Sequence, residues 1–138
     1  MDWKDVDLLI IGGGPAGVAA SIYAGGYGLN TIVVEPNERE LVGRAGTSPH
    51  LENCPGFHYG ISGLELSYKL REQATKMGAH FIKARVTDLH LKIARLDTGE
   101  NYRGRAVLIA TGRSPKKLGV EGAEQFFGHG VFHEPPLL

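Results

Sequence analysis

Asp5-Val-Asp-Leu-Leu-Ile-Ile-Gly-Gly-Gly-Pro-Ala-Gly-Val-Ala-Ala-Ser-Ile-Tyr-Ala24 decides the fold. The apolar run from Leu8 to Ile11 reads as a buried strand, and it passes directly into Gly12-x-Gly14-x-x-Gly17 and a helix of small residues. In this pattern Gly12 permits the tight strand-to-helix turn, Gly14 lets a pyrophosphate approach the backbone, and Gly17 lets the helix lie close to the strand. Pro15 suits a first helical turn, where its missing N–H is not needed. The start of such a helix offers free N–H groups and a partial positive charge to a diphosphate.

The stretch that follows supplies the context a lone glycine motif lacks. Thr31-Ile-Val-Val reads as a second strand ending in Glu35-Pro36, where a carboxylate can accept hydrogen bonds from ribose hydroxyls. The alternative is a glycine-rich turn with no ligand, but strand, glycines, helix, strand and acid agree with one another. A carboxylate at Glu35 also disfavours a 2′-phosphate, so FAD or NAD is expected before NADP.

The whole chain bounds the problem further. Its 138 residues suit one domain, and fifteen basic residues balance fifteen acidic ones. That balance gives no reason to expect nucleic acid or an anionic membrane as partner. No apolar stretch reaches membrane-span length, and the acidic start Met1-Asp-Trp-Lys-Asp5 does not read as a signal peptide. The single cysteine, Cys54, has no intramolecular disulfide partner and suits a reducing cytoplasm.

Taken in order, the first helix is expected over 14–24, ended by Gly25, Gly26 and Gly28. Residues 36–62 form a long connection mixing Gly and Pro with Arg44, Asn53, Phe57 and Tyr59, which reads as an ordered loop wrapping a ligand. A clear helix follows over 63–77. Ser62 and Glu65 make a capping box, Leu66, Leu70, Ala74 and Met77 share a face, and Glu65/Lys69 and Glu72/Lys76 stand four apart. A short strand is expected near His80. The segments 85–96 and 102–105 flank Asp97-Thr-Gly-Glu as a hairpin, with Gly104 as a bend before a core strand that ends at Ala110-Thr111-Gly112. Glu121 to Phe127 reads as a helical turn or two.

Several side chains admit two readings. Cys54 is either a reactive thiol or a small packed residue. His129 and His133 have a metal-like spacing, but Gly130 and the following prolines work against a helix that would aim both at one ion, so no metal is expected. Lys116 and Lys117 either contact a phosphate or belong to a solvated turn.

By this point the residues resemble a known family. Gly12-Gly13-Gly14-Pro15-Ala16-Gly17, Glu35-Pro36, Gly43-Arg44-Ala45-Gly46-Thr47, Glu52-Asn53-Cys54-Pro55-Gly56-Phe57, Gly60-Ile61-Ser62-Gly63, Ala110-Thr111-Gly112 and Leu118-Gly-Val-Glu-Gly122 look like the thioredoxin-reductase-like branch of the pyridine nucleotide–disulfide oxidoreductases. The match runs from about Val6 to Phe132. The resemblance implies an FAD-binding part of a flavin oxidoreductase. Gly12, Gly13, Gly14 and Ala16 would line the diphosphate, Glu35 would hold the ribose, and Gly43, Arg44, Ala45 and Asn53 would lie toward the flavin. Val86 would approach the adenine, and Ala110, Thr111 and Gly112 would pass near the dinucleotide.

The implied fold is α/β: a Rossmann-like three-layer FAD-binding domain with a parallel sheet and a small antiparallel β-hairpin layer on the helix side. It would span 1–125, and 126–138 would be a tail where the family enters its NAD(P) domain. Two features depart from the family pattern. Val42-Gly43-Arg44 stands where Gly-Gly-Gln is usual, so a guanidinium either lies near charge developing on a reduced flavin or faces solvent. Cys54 stands where the family has an apolar residue. Neither a second glycine motif nor a Cys-x-x-Cys occurs in these residues. Catalysis is therefore expected to need a homodimer or a partner chain supplying the missing half; the alternative is a non-catalytic dinucleotide-binding module or an isolated fragment.

Overall fold

A computed structural model of the chain describes residues 2–37, 43–114 and 116–132. Its elements, in order, are β1 (Lys4–Ile11), α1 (Pro15–Gly26), β2 (Thr31–Glu35), a short 3-10 helix (Gly43–Thr47), α2 (Gly63–Lys76), β3 (Ala79–Lys83), β4 (Val86–His90), β5 (Ile93–Leu96) and β6 (Asn101–Ile109). All six strands join one sheet in the order β3-β2-β1-β6-β5-β4. The pairs β2–β3, β1–β2 and β1–β6 are parallel; β5–β6 and β4–β5 are antiparallel.

Alternation along β2 separates two cores. Ile32 and Val34 face a cluster with Val6, Leu9, Ala84, Ala94, Leu96 and Tyr102. Val33 points the other way and is paired in register with Phe81, which packs against Val18, Ala74 and Ala79. Helices α1 and α2 therefore cover one face of the parallel strands, and the antiparallel strands curl over the other. This gives the three expected layers, but it corrects the placement of the hairpin on the helix side. The hairpin reaches the opposite face because β6 carries it there as a continuation of the same sheet. Leu9, Ile10, Val33 and Val34 are almost wholly buried, and each contributes about 1.5–3 kcal/mol by leaving water.

The helix ends follow from local chemistry. The Ser62 hydroxyl accepts the Glu65 N–H at 3.1 Å, capping α2 as the sequence predicts. Lys69–Glu65 and Lys76–Glu72 pairs line its wet face at 3.4 and 2.8 Å. Met77, expected on the apolar stripe, is 41% exposed because it lies beyond the last turn as the C-cap residue. At the end of α1 the Gly28 N–H bonds the Gly25 carbonyl and the Leu29 N–H bonds the Ala24 carbonyl. This is the Schellman arrangement, and Gly28 meets its requirement for positive φ, at 71°. Gly25 and Gly26 lie inside α1 rather than ending it. A Cβ on Gly25 would strike the Met77 carbonyl oxygen, so this glycine permits the crossing of α1 on the end of α2.

The antiparallel region differs from its expected form. The segment 85–96 is two strands, not one, turning at Leu91 and Lys92 with φ of 47° and 67°. Two successive positive φ values define a two-residue hairpin turn of the type that favours Asn-Gly, and Leu-Lys carries no such signal. β6 is one continuous strand through Gly104. A side chain at Gly104 would strike the Ala106 carbonyl oxygen and crowd Leu9, so the glycine marks close strand packing, not a break between two strands. Cross-strand ion pairs fix β1 against β6: Arg103 donates from Nε and Nη2, one edge of its guanidinium, to both Asp5 carboxylate oxygens at 2.6 and 3.0 Å, and Arg105 meets Asp7 at 3.0 Å. The Asn30 N–H, and then Arg105, hold the Asp7 carboxyl below its ordinary range. Glu121 to Phe127 forms hydrogen-bonded turns, not a helix, with the Phe126 N–H on the Gly122 carbonyl. The 133–138 end of the expected tail lies outside the described residues.

The turn at Leu91-Lys92 yields a prediction. Left-handed backbone costs roughly 1–2 kcal/mol per ordinary residue. The double substitution Leu91→Asn, Lys92→Gly is expected to stabilise the chain by about 1 kcal/mol, read as a higher urea midpoint. An unchanged or lower midpoint would mean that the Lys92 Nζ bond to the Arg105 carbonyl, 3.0 Å long, outweighs the backbone relief.

Candidate functional site

The C-terminal ends of β1, β2 and β6 converge on Gly12. Its N–H bonds the Val34 carbonyl at 2.9 Å, and alongside it the Ala110 N–H bonds the Ile11 carbonyl at 2.8 Å. Gly12 has φ 108°, and a Cβ there would overlap the Ala110 carbonyl. Gly17 is equally confined, since its Cβ would strike the Gly12 carbonyl oxygen. Both glycines are thus demanded by the protein's own packing.

Gly14 is different. It is the N-cap of α1 with φ −70° and ψ 179°, a conformation open to any residue, and a Cβ there would meet nothing within 4 Å. Among the described residues nothing requires a glycine at this position. It borders a cavity of about 390 Å³, so a side chain would occupy ligand space rather than protein space. The residues present therefore fit a dinucleotide diphosphate laid on the start of α1.

Glu35 ends β2 beside the same loop. One carboxylate oxygen accepts the Gly13 N–H at 2.7 Å and the other accepts the Asn37 N–H at 3.0 Å. This grip fixes the side chain. A carboxylate has about four acceptor sites, so two stay available to ribose hydroxyls.

The structure brings most of the sequence-predicted residues together. Gly12, Gly14, Pro15, Ala16, Glu35, Gly43, Arg44, Ala45, Ala110, Thr111 and Gly112 line the first cavity, joined by Arg113. An adjoining cavity of about 340 Å³ shares Gly12, Glu35, Gly43 and Thr111 and adds Pro36 and Val86. Together they form a groove across the strand ends. Gly13 serves by holding Glu35, and Gly17 serves by packing. Asn53 is exposed on the 51–61 loop and lines neither cavity. Sequence reading missed Asn37, Arg85, Arg113 and Ser114, which also line the groove. Three of them, Asn37, Arg113 and Ser114, directly follow a predicted strand end, and that position in an open α/β sheet was the available signal.

The long connection is ordered where described, though Glu38 to Val42 lie outside the described residues. The Leu51 and Ile61 backbones exchange hydrogen bonds of 2.8 and 3.0 Å, closing the loop between them. The Gly63 N–H bonds the Ser48 carbonyl at 2.9 Å, and a Cβ on Gly63 would strike the Ala45 carbonyl. The start of α2 thus seats the 3-10 helix that carries Arg44 and Ala45 into the groove. Cys54 is half-buried, with its Sγ 4.0 Å from the Pro55 carbonyl. Lys117 pairs with Glu124 at 3.3 Å and lines neither cavity of the groove. Among the described residues no group of three or more His, Cys, Asp or Glu side chains is placed to hold a metal, and no helix is long and apolar enough to cross a membrane. An open concavity at the other end of the parallel strands is lined by Asp5, Asp7, Arg103 and Arg105, charges that pair with one another.

Comparison with known proteins identifies the fold and the family. Residues 6–134 match the family described as "Pyridine nucleotide-disulphide oxidoreductase". The thioredoxin reductase of Aquifex aeolicus is 38% identical over 133 residues, which cover 93% of this chain and 40% of that protein. The Bacillus subtilis thioredoxin reductase gives the same 38% identity and the same coverage. Among solved structures, the thioredoxin reductase of T. acidophilum superposes with a TM-score of 0.76 at 28% identity, over 92% of this chain and 42% of that one. That of Giardia duodenalis gives 0.75 at 30%, over 89% and 40%. The chain therefore spans about 40% of the length of the relatives it matches.

The contrast between glycines gives a test. Gly14→Val is expected to keep the parent's circular dichroism and melt within a few degrees, since the N-cap change costs about 1 kcal/mol or less, yet to lose dinucleotide binding. Gly17→Val is expected to lose the folded state itself. Equal nucleotide affinity in Gly14→Val and the parent would show that the ligand does not lie over this glycine.

Proposed function

The chain belongs to the pyridine nucleotide–disulphide oxidoreductase family, in its thioredoxin-reductase-like branch, and from that membership we propose that residues 1–125 are the FAD-binding part of a flavin oxidoreductase. The observation that carries the reading is the cavity at Gly14, where no described residue lies within 4 Å of an added Cβ. The groove runs from Arg44 and Ala16 past Glu35 to Val86. It offers a diphosphate seat, a ribose carboxylate and a backbone-lined adenine end in the order a dinucleotide needs.

When bound, FAD would pass reducing equivalents between a nicotinamide and an acceptor such as a disulfide. The chain's own residues bind and orient: the α1 N-terminus meets phosphate, Glu35 meets ribose, and Ala110 to Gly112 close the groove beneath. The nicotinamide site and the disulfide pair belong to further sequence or to a partner chain, because these residues hold one glycine loop of this kind and one cysteine. Residues 126–138 would be the tail where the family enters its NAD(P) domain.

The edge of β6 supports a second surface being added. β6 pairs with β1 from Tyr102 to Ile109 but with β5 only from Asn101 to Arg103. Among the described residues its outer edge beyond Gly104 has no ladder partner, and Ile109 is 65% exposed there. An open apolar edge is a pairing site for another strand, from further sequence or from a second copy in a homodimer. One cysteine in the chain is in keeping with a reducing, cytoplasmic setting.

The test is the visible spectrum of the purified chain with added FAD, followed through gel filtration. The expected result is a flavin spectrum co-eluting with protein, with no bleaching by NADH under anaerobic conditions until the complementary part of a family member is supplied. Colourless protein from every mixture would overturn the assignment.

A further inference from the structure

The outer face of α1 carries no charge. From Pro15 to Gly26 the helix has no acidic or basic side chain. Pro15, Ala16, Ala19, Tyr23 and Gly26 are exposed, as is the C-cap residue Tyr27. The two tyrosines stand well out from the surface, Tyr23 at 71% and Tyr27 at 81% exposure. A helix at a protein surface ordinarily turns charged and polar residues to water. α2, which packs beside α1, does so with its Lys69–Glu65 and Lys76–Glu72 pairs.

An open concavity of about 510 Å³ lies along the C-terminal half of this face. Ala19, Tyr23, Gly26 and Tyr27 line it from α1, and Gln73 and Met77 line it from the end of α2. None of its lining residues is Asp, Glu, Lys or Arg. Packing fixes its shape. A Cβ on Gly25 would strike the Met77 carbonyl oxygen, and a Cβ on Gly26 would lie 3.1 Å from the Met77 Cε.

Charge and bulk together select what fits there. A face without charge has nothing with which to hold an acidic or basic partner, and it meets no like-charge repulsion when it faces itself. Bulk is divided along the helix: the tyrosines stand toward its C-terminal end, and Pro15, Ala16 and Ala19 toward its N-terminal end. An antiparallel copy, related by a two-fold axis at the level of Ser21, sets Tyr23 opposite Ala19 and Tyr27 opposite Pro15. Each large side chain then meets a small or flat one on both sides of the axis, which is the self-complementarity an isologous contact demands. The same arrangement opposes the two helix dipoles.

We infer that the outer face of α1 is a self-association surface on which two copies of the chain pair their α1 helices antiparallel. Area sets its strength. The two tyrosines bring on the order of 300 Å² per copy, whereas a stable interface takes about 800 Å² per partner. The rest comes from the small residues, Gln73 and Met77, so the contact lies at the weak end and the dimer is micromolar. The surface shares no residue with the outer edge of β6. Pro15 and Ala16 also border the nucleotide groove, so the test is made without nucleotide.

The experiment is sedimentation velocity of the full chain from roughly 1 to 500 μM, with circular dichroism to confirm that each variant is folded. The parent is expected to pass from monomer to dimer over this range. Tyr23→Lys with Tyr27→Lys gathers cations about the two-fold axis and is expected to raise the dissociation constant about tenfold or more. Tyr23→Phe with Tyr27→Phe is expected to retain the dimer, and so is Ile109→Lys on the β6 edge. Mixing reads the register: Tyr23→Lys chains and Ale19 variants are replaced here by Tyr23→Lys chains with Ala19→Glu chains, which are expected to form a heterodimer tighter than either forms alone. A parent that stays monomeric throughout, or a dimer that survives both lysines, would overturn the surface. A dimer lost on Ile109→Lys would overturn it by moving the contact to the sheet edge. A mixture no tighter than its components would overturn the antiparallel pairing.

Discussion

The position of the Ala110 carbonyl against Gly12 is the constraint on which the rest depends. Three strands and one helix meet there: β1 ends, β2 bonds to it through Val34, β6 passes beside it, and α1 leaves from it. No side chain fits at Gly12 or Gly17, so α1 descends onto β1 closely enough for Val18 to be wholly buried. That same closeness sets the free N–H groups at the helix start directly above the strand ends. The ligand groove is therefore a consequence of packing, not an addition to it. The hydrogen bond from Gly13 to Glu35 then ties the loop to the adjacent strand and aims the carboxylate across the groove.

The parts legible in sequence are those whose determinants are local. The strand–glycine–helix–strand unit, the Ser62 cap and the Gly28 terminus each depend on a few neighbouring residues. The parts that were not legible depend on distant partners. Gly25 reads as a helix breaker, yet it is a helix residue because Met77, far along the chain, lies against it. Leu91-Lys92 reads as strand interior, yet pairing of β5 with both β4 and β6 forces a turn there against its own backbone preference. The face on which the hairpin lies was equally unreadable, because alternation in β2 shows that both faces are buried without showing what covers each.

The same division applies to the groove. Its glycines and Glu35 announce themselves by spacing. Arg113 and Asn37 carry no spacing signal and belong to the groove only because they follow strand ends, and Arg85 reaches it from beside Val86. Asn53 shows the reverse case: a residue placed by motif resemblance that the described loop leaves exposed, since the Leu51–Ile61 closure holds it outside both cavities.

The two halves of the sheet also face different demands. The antiparallel strands are closed by tight turns and covered on one face by the parallel layer. The parallel half has α1 and α2 on one face and the hairpin on the other, as parallel strands require, but among the described residues β6 has no ladder partner on its outer edge past Gly104. Gly112 and Arg113, which follow β6, line the groove together with the start of α1. An element pairing with β6 would therefore do two things at once: satisfy the free backbone groups of the edge and wall the groove beside the diphosphate. Sheet completion and cofactor retention would then be coupled, because the strand whose outer edge lacks a ladder partner among the described residues past Gly104 is the strand whose end, Ala110 to Gly112, lines the groove.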